Sequence, residues 1–469
     1  MVRRVALSSA NGVSGAPTEP VTRRLAAWSS SVGDSPLPEP VRRHARRALL
    51  DHLAATVAGS ESAPAVAVAS LLRDTEGSGP ATVVGTGLRL SPANAAFANG
   101  TAAHALEVDD GYTAGSFHPG AAILPAVLAV AEALRSSPEQ LVRAVAVGYE
   151  VGCRIASAGH PATWRRGFHN TSVAGVFGAA AGVASLYELD AEVTASALGV
   201  AGSHASGLFE FLQDGTDVKR LHAGKAARDG VLSTELARRG LSGPSTVLEG
   251  PQGYFQAYGD GRADVVELVA DLGTRWHMLD TYFKPHACCR HLHGPIDAVL
   301  ALAREEPIDL DAITAIEVGT YRGAARHAEY RSATILDAQM SIPYAVAVAL
   351  RHGEVGVTQF AEAARRDRGV DVLADKVSVH VSPECDRDYP DMRPAEVTIR
   401  TASGERRVRI DQPLGEPANP LDDAELHAKV HRLCDPHLGS ERTRELIDTS
   451  NAASDAVSLL HALNRSAPA

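Results

Sequence analysis

Aromatic side chains are scarce in this chain, at 5% of 469 residues, and cysteine is scarcer still, at five. Five is too few, and too odd a number, for the disulfide framework of a secreted protein, so Cys153, Cys288, Cys289, Cys385 and Cys434 are read as free thiols in a reducing compartment. No apolar run reaches the roughly 18 residues of a membrane helix. The opening MVRRVALSSANGVSGAPTEP lacks the apolar centre of a signal peptide. Positive charge is also short: a net charge of −11 and a pI near 5.9 argue against a nucleic-acid or anionic-membrane surface. The expectation is a soluble cytoplasmic protein with neither nucleic acid nor membrane as partner.

Lysine is the most telling scarcity. Only five of the 45 basic residues are lysine, at 219, 225, 284, 376 and 429. A chain that uses arginine almost everywhere keeps lysine where a compact charge with a movable pKa is needed. Lys219 in DGTDVKRLHAGKAARDG and Lys284 in YFKPHACCRHLHG sit among His and Gly, and both are read as site residues. Lys376 and Lys429 are read as having no site role.

Small residues, by contrast, are plentiful: alanine is abundant and there are 41 glycines. Helices rich in them pack closely. The length predicts two domains. Residues 1–20 read as a disordered tail. From Pro40 to about Gly240 the apolar period is helical, with Ala45, Leu49, Leu53 and Val57 on one stripe and helix starts at Ser91-Pro92 and Ser137-Pro138. Another helix is read from AARDGVLSTELARRG at 226–240. Near 270 the pattern changes. Strands are predicted around Ile316–Tyr321 and at Val377, Val379 and Val381, followed by a hairpin across Ser403-Gly404. After 420 the helical period returns. The predicted fold is mostly α with an α+β part: a helical domain from both chain ends (21–269 and 411–469) and an inserted α+β lid (270–410).

Between two apolar helices the chain reads HALEVDDGYTAGSFHPG, from His104 to Gly120, its densest run of proton-transfer side chains. A charged loop held between rigid, buried elements is a common setting for catalysis. Rival motifs are weak. DDGYT lacks the preceding strand of an acidic phosphatase loop. HACCRHLH has no second ligand pair for structural zinc. GSHASG is not a nucleophile elbow, and no G-x-G-x-x-G follows a strand.

The segments AHALEVDDGYTAGSFHPGAAILPAVLAVAE, GYEVGCRIA, RGFHNTSVAGVFGAAAGVASLYELD, DGTDVKRLHAGKAARDGVLSTELARRGLSGP, FKPHACCRHLHGPIDA and AQMSIPYAVA, in this order, resemble the MmgE/PrpD family over roughly residues 22–465. That family includes 2-methylcitrate dehydratase, cis-aconitate decarboxylase and iminodisuccinate epimerase. The resemblance implies a helical domain with an α+β lid, a homodimer, and no metal or organic cofactor. It implies that His118 is the catalytic loop histidine and that His169, Lys219 and Lys284 are pocket residues. Glu107 takes the place of a decarboxylase Asp. Gly111 stands where decarboxylases carry Thr, the loop before His118 is one residue longer, and Cys289 aligns with a decarboxylase catalytic His. The surroundings of Lys219 differ from those in the 2-methylcitrate dehydratases. Tyr330 is the candidate for a family tyrosine upstream of SIPYAVA.

The family reactions make or quench a carbanion beside a carboxylate. Such a site needs an acid/base and fixed cations. The expected assignment makes His118 the acid/base, with His169 as its partner or as a carboxylate ligand. Glu107 orients His118, with Asp110 second for that role, and Lys219 and Lys284 neutralise carboxylates. Asp110, Cys289 and Tyr330 join Lys284 on the substrate-binding side, and His104 is read as a helix residue. The expected function is a cofactor-independent lyase, a dehydratase or decarboxylase, acting on a small polycarboxylate. A dicarboxylate epimerase or a non-catalytic binding protein on the same fold are the alternatives.

Overall fold

Alanine and glycine line the helix contacts of the computed structural model, which describes residues 19–452 and 454–464 and is about 60% helical. The tail read at 1–20 lies outside the described residues, apart from Glu19 and Pro20. At the centre, helices Pro119–Leu134 and Gly175–Leu186 are buried almost from end to end. Side chains such as Ile123 and Leu124 are fully enclosed, each worth about 1.5–3 kcal/mol in burial. Helix Pro138–Gly159 packs beside Gly175–Leu186 and starts as predicted, with Ser137 accepting the Gln140 N–H at 3.2 Å in a capping box. The stripe Ala45, Leu49, Leu53 and Val57 is buried on helix Glu39–Gly59.

One helix is longer than its sequence suggested. The segment read as helical from 226 begins at Val218 and runs to Arg238, so Lys219 stands in its first turn. Gly224 in LHAGKAA hides this start, because glycine weakens a helix. Its role is close approach: a Cβ there would lie 2.2 Å from the Phe97 carbonyl oxygen of helix Pro92–Ala103.

The last helices return to the first. Asp423–Leu438 and Ser440–Asn451 pack on Glu39–Gly59, and Ala456–Asn464 packs on Pro119–Leu134. Lys429, read as having no site role, has a structural one. It is buried, pairs with Asp51, and donates to the Val108 carbonyl at 2.7 Å, gripping the His104–His118 loop from the C-terminal side.

The middle of the chain supplies a four-stranded sheet in the order Val377–Val381, Ile313–Thr320, Ala395–Thr401, Gly404–Ile410. The first pair is parallel, with Ile316 opposite Val377, and the other pairs are antiparallel. The hairpin turns at Ala402-Ser403, one residue earlier than read, with Thr401 facing Gly404. Helices His293–Glu305 and Ile342–His352 pack against this sheet. A two-residue ladder, Gly111–Tyr112 against Thr281–Tyr282, draws the His104–His118 loop onto the segment that carries Lys284.

Candidate active site

The loop is held at both ends and folded on itself. His104 ends helix Pro92–Ala103, and His118 immediately precedes helix Pro119–Leu134. Tyr112 and Phe117 exchange backbone hydrogen bonds of 2.7 and 3.2 Å. The His118 N–H donates to Thr171 Oγ1 at 3.3 Å, and Asn170 Nδ2 donates to the Gly115 carbonyl at 2.5 Å. Gly111 has a physical reason to lack a side chain, since a Cβ there would meet the Tyr282 ring at 2.3 Å.

Two groups of side chains meet on this loop. The first is a column of imidazoles. Asp109 accepts from His104 Nδ1 at 2.7 Å and lies 3.2 Å from His118 Nδ1, which also donates to the Asp110 carbonyl at 2.8 Å. With Nδ1 so engaged, His118 presents Nε2 to a reactant. The His104 ring lies 5.0 Å from His118 and 5.9 Å from His169, and His169 Nδ1 is 3.0 Å from His222 Nδ1. Burial drives His104 down to about 4 and His169 well below the histidine range, so both are neutral at physiological pH. Burial opposes the Asp109 charge, yet His104 and His118 hold its carboxyl well below the usual range. The His118 side chain is 17% exposed and that of His104 is 0%, which leaves His118 as the reachable end of the column.

The second group is a cage of cations. Glu107 has a left-handed backbone, φ 58°, and is buried. Its Oε1 accepts from Lys219 Nζ and, at 2.5 Å, from Arg220, while its Oε2 accepts from Lys284 Nζ at 3.3 Å. Burial works against its charge, but Lys219, Lys284 and Arg220 hold it well below the carboxylate range. The two lysines respond in opposite directions. Burial and then the neighbouring cations Arg220 and Lys284 pull Lys219 below its ordinary value despite Glu107. Burial also opposes the Lys284 charge, but Glu107 and Asp109 outweigh it and hold Lys284 above. Gln339 braces the cage: its Nε2 donates to the carbonyls of Leu106 (3.0 Å) and Ala287 (2.9 Å), and its Oε1 accepts from Arg220 at 3.3 Å.

Several expectations are corrected by this geometry. Glu107 is the centre of the cage and makes none of the contacts that orient His118; Asp109 and the Asp110 carbonyl supply those. The Asp110 side chain is buried and bound within the protein. Its oxygens accept from the Gly120 N–H and the Tyr149 hydroxyl, each at 2.8 Å, and burial, then the nearby Asp51, pushes it up to about 8. Tyr330 is turned away, with its hydroxyl on Asp371 and its ring stacked on Tyr344 at 6.4 Å. His104 is buried at the heart of the column. Cys289, read as substrate-binding, lies beside Gln339 with its thiol 3.9 Å from His327 Nε2.

Sequence reading missed Asp109, Arg220, His222 and Gln339. Lys219 and His222 are three apart, the signature of one helix face, but that signal needed the helix to start at 218. The residues of HACCRHLH disperse: His286 bonds Asp297, His291 bonds Tyr321 and His293 lies beside Arg290. Among the described residues the ligand atoms of His104, Asp109 and His118 do converge, within 4.8 Å. Nδ1 of His104 and Nδ1 of His118 are already hydrogen-bonded, to Asp109 and the Asp110 carbonyl.

Known proteins resemble this chain along most of its length. The model of the MmgE/PrpD N-terminal domain matches residues 23–265, and that of the MmgE/PrpD C-terminal domain matches 286–453. A cis-aconitate decarboxylase-like protein of Aspergillus oryzae is 30% identical over 95% of this chain and 98% of its own length. A cis-aconitate decarboxylase of Aspergillus terreus is 29% identical over 95% and 96%. The human cis-aconitate decarboxylase is 32% identical over 46% of each chain. With both domain models in order and relatives matched from end to end, the chain belongs to the MmgE/PrpD family.

Proposed function

We propose that this chain is a lyase that decarboxylates a small unsaturated polycarboxylate of the cis-aconitate kind, without a metal or organic cofactor. The observation that carries the reading is the charge imbalance of the cage. Lys219, Arg220 and Lys284 converge on one carboxylate, Glu107, and all four are buried. Buried positive charge in excess of its partners is unfavourable unless an anion completes it. Lys219 also stands in the first turn of a 21-residue helix, the positive end of its dipole, where an anion is favoured and a cation is not. A substrate with two or three carboxylates meets both demands.

The chemistry then divides between the two groups. Loss of CO2 breaks a carbon–carbon bond and leaves its electron pair on carbon, conjugated with a remaining carboxylate. The cage stabilises that charge, a contribution of several kcal/mol in a site shielded from water. His118 Nε2 delivers the proton that quenches it, while Asp109 and the Asp110 carbonyl keep its ring in place. His169 supports His104 through the ring column. The names of the relatives favour decarboxylation over dehydration.

A second reading, epimerisation of a dicarboxylate, is favoured by Cys289, a thiol where decarboxylases carry histidine. Proton NMR in D2O with citrate-, aconitate- and succinate-type acids distinguishes the readings. The lyase reading expects CO2 loss or new alkene signals. Deuterium wash-in with inversion supports the epimerase, and a spectrum unchanged across the whole panel refutes both.

A further inference from the structure

Outside the imidazole column and the cage, Cys289 is a nucleophile set for proton chemistry. Cys289 Sγ lies 3.9 Å from His327 Nε2, and His327 Nδ1 donates to the Met340 carbonyl at 2.9 Å. That second bond places the ring proton on Nδ1 and leaves the Nε2 lone pair toward sulfur. Thiol, imidazole and orienting carbonyl form the row of nucleophile, base and orienter by which enzymes activate a weak acid. The ring is clamped from the side by His291, stacked at 5.5 Å and itself bonded to the Tyr321 hydroxyl at 2.6 Å. Burial opposes ionisation of the thiol, but His327 overrides it and draws Cys289 below a cysteine's ordinary value, while His327 is held above its own.

Position ties this pair to the site. The Cys289 N–H donates to the carbonyl of Gln339 at 3.0 Å, and the side chain of Gln339 is the brace of the cage. Lys284, a cation of the cage, lies five residues before Cys289 on the same segment. Access is selective too. Cys153, Cys288, Cys385 and Cys434 are fully buried, whereas Cys289 and His327 are half-buried.

We propose that Cys289 and His327 form a thiol–imidazole dyad that serves as a second proton-transfer centre, working on the substrate from the α+β side while His118 works from the loop. The proposal rests on the carboxylate chemistry above. In the donating direction the S–H bond breaks as the carbanion's electron pair forms a C–H bond. Thiolate is left beside a neutral imidazole, and solvent returns one proton to the pair. In the reverse direction the thiolate takes a proton from the carbon beside the carboxylate, and His327 gives its own to solvent.

Two arms test this on the full chain. In the first, the intact protein is alkylated with iodoacetamide and with iodoacetate, and the labelled peptide is identified by mass. Expected are one equivalent on Cys289, a preference for the anionic reagent over its rate on free cysteine, protection by cis-aconitate, and a roughly tenfold slower reaction in His327→Gln. Labelling at the free-thiol rate, unaltered by His327→Gln, overturns the dyad. In the second arm, Cys289→Ala and Cys289→Ser are expected to lose about 10²-fold in kcat with KM within threefold. A kcat within threefold of wild type, in variants whose melting matches wild type, overturns the catalytic role. If Cys289 variants do not fold, His327→Gln kinetics take their place with the same thresholds. A wild type inert toward every acid refutes the lyase and epimerase readings, while the alkylation arm still decides whether the dyad exists.

Discussion

The two halves of the candidate site use carboxylates in opposite ways. In the imidazole column one acid, Asp109, is shared by two histidines, and burial keeps His104 and His169 neutral. In the cage one acid, Glu107, faces three basic side chains. The column is therefore poised to move a proton, and the cage to hold a charge. Both hang on three consecutive residues, Glu107, Val108 and Asp109, whose side chains part in different directions. The sharpest way to break the comparison is His118→Asn. If the column moves the proton and the cage binds, kcat falls by about 10²–10⁴-fold while KM stays within threefold. A matching loss in KM assigns His118 to binding instead.

The next effect tests what joins the halves. Lys429 holds the Val108 carbonyl from the C-terminal helix and pairs with Asp51. Lys429→Met leaves Asp51 buried without its cation, an expected loss of about 3–5 kcal/mol in urea unfolding, with activity lost in parallel as the loop is released. Gly111→Ala attacks the other tie. The added methyl meets the Tyr282 ring, so the ladder between the loop and Thr281–Tyr282 must shift, at an expected cost of about 1–3 kcal/mol. Tyr282→Ala in the same chain should restore part of that loss. If Gly111→Ala is as stable as wild type, the ring is not what keeps this position bare.

Much of this was legible in the residues, and what was missed has physical reasons. The helical period, the strands after 313 and the loop with His118 stand out because each has a strong local signal. The scarcity of lysine pointed to Lys219 and Lys284, both in the cage. It was not followed at Lys429, whose partner Asp51 lies 378 positions away and leaves no local trace. Arg220 was hidden by abundance, one arginine among forty. Roles within HALEVDD were unreadable for another reason. Adjacent acids separate only through backbone geometry, and the left-handed turn at Glu107 sends its carboxylate to the cations while Asp109 meets the histidines.

A smaller change probes the cage alone. Lys219→Arg keeps the charge but replaces a compact ammonium, pulled down by burial and its neighbours, with a flat group that is never deprotonated. About a tenfold fall in kcat/KM is expected, carried mainly by KM. Unchanged kinetics would mean that charge alone suffices at this position.

The smallest effect reads the column through stability. His104 titrates near 6.5 in the unfolded chain and near 4 in the folded one, so between those values the unfolded state holds the extra proton. Stability must then rise with pH across that window and fall on acidification, by at most about 1.4 kcal/mol per pH unit for one histidine. Glu107 and Asp109 act at lower pH: both are held well below their ordinary values, so their contribution is present above pH 4.5 and is lost only in stronger acid. The histidine and the two carboxylates thus lose stability in different windows, His104 first and Glu107 and Asp109 later. Urea unfolding of His104→Gln at pH 7, 6 and 5 isolates the first. The variant should show a shallower fall than wild type between pH 6.5 and 4.5. An identical slope would mean that His104 is already charged in the folded protein, and the column would then resemble the cage in holding charge.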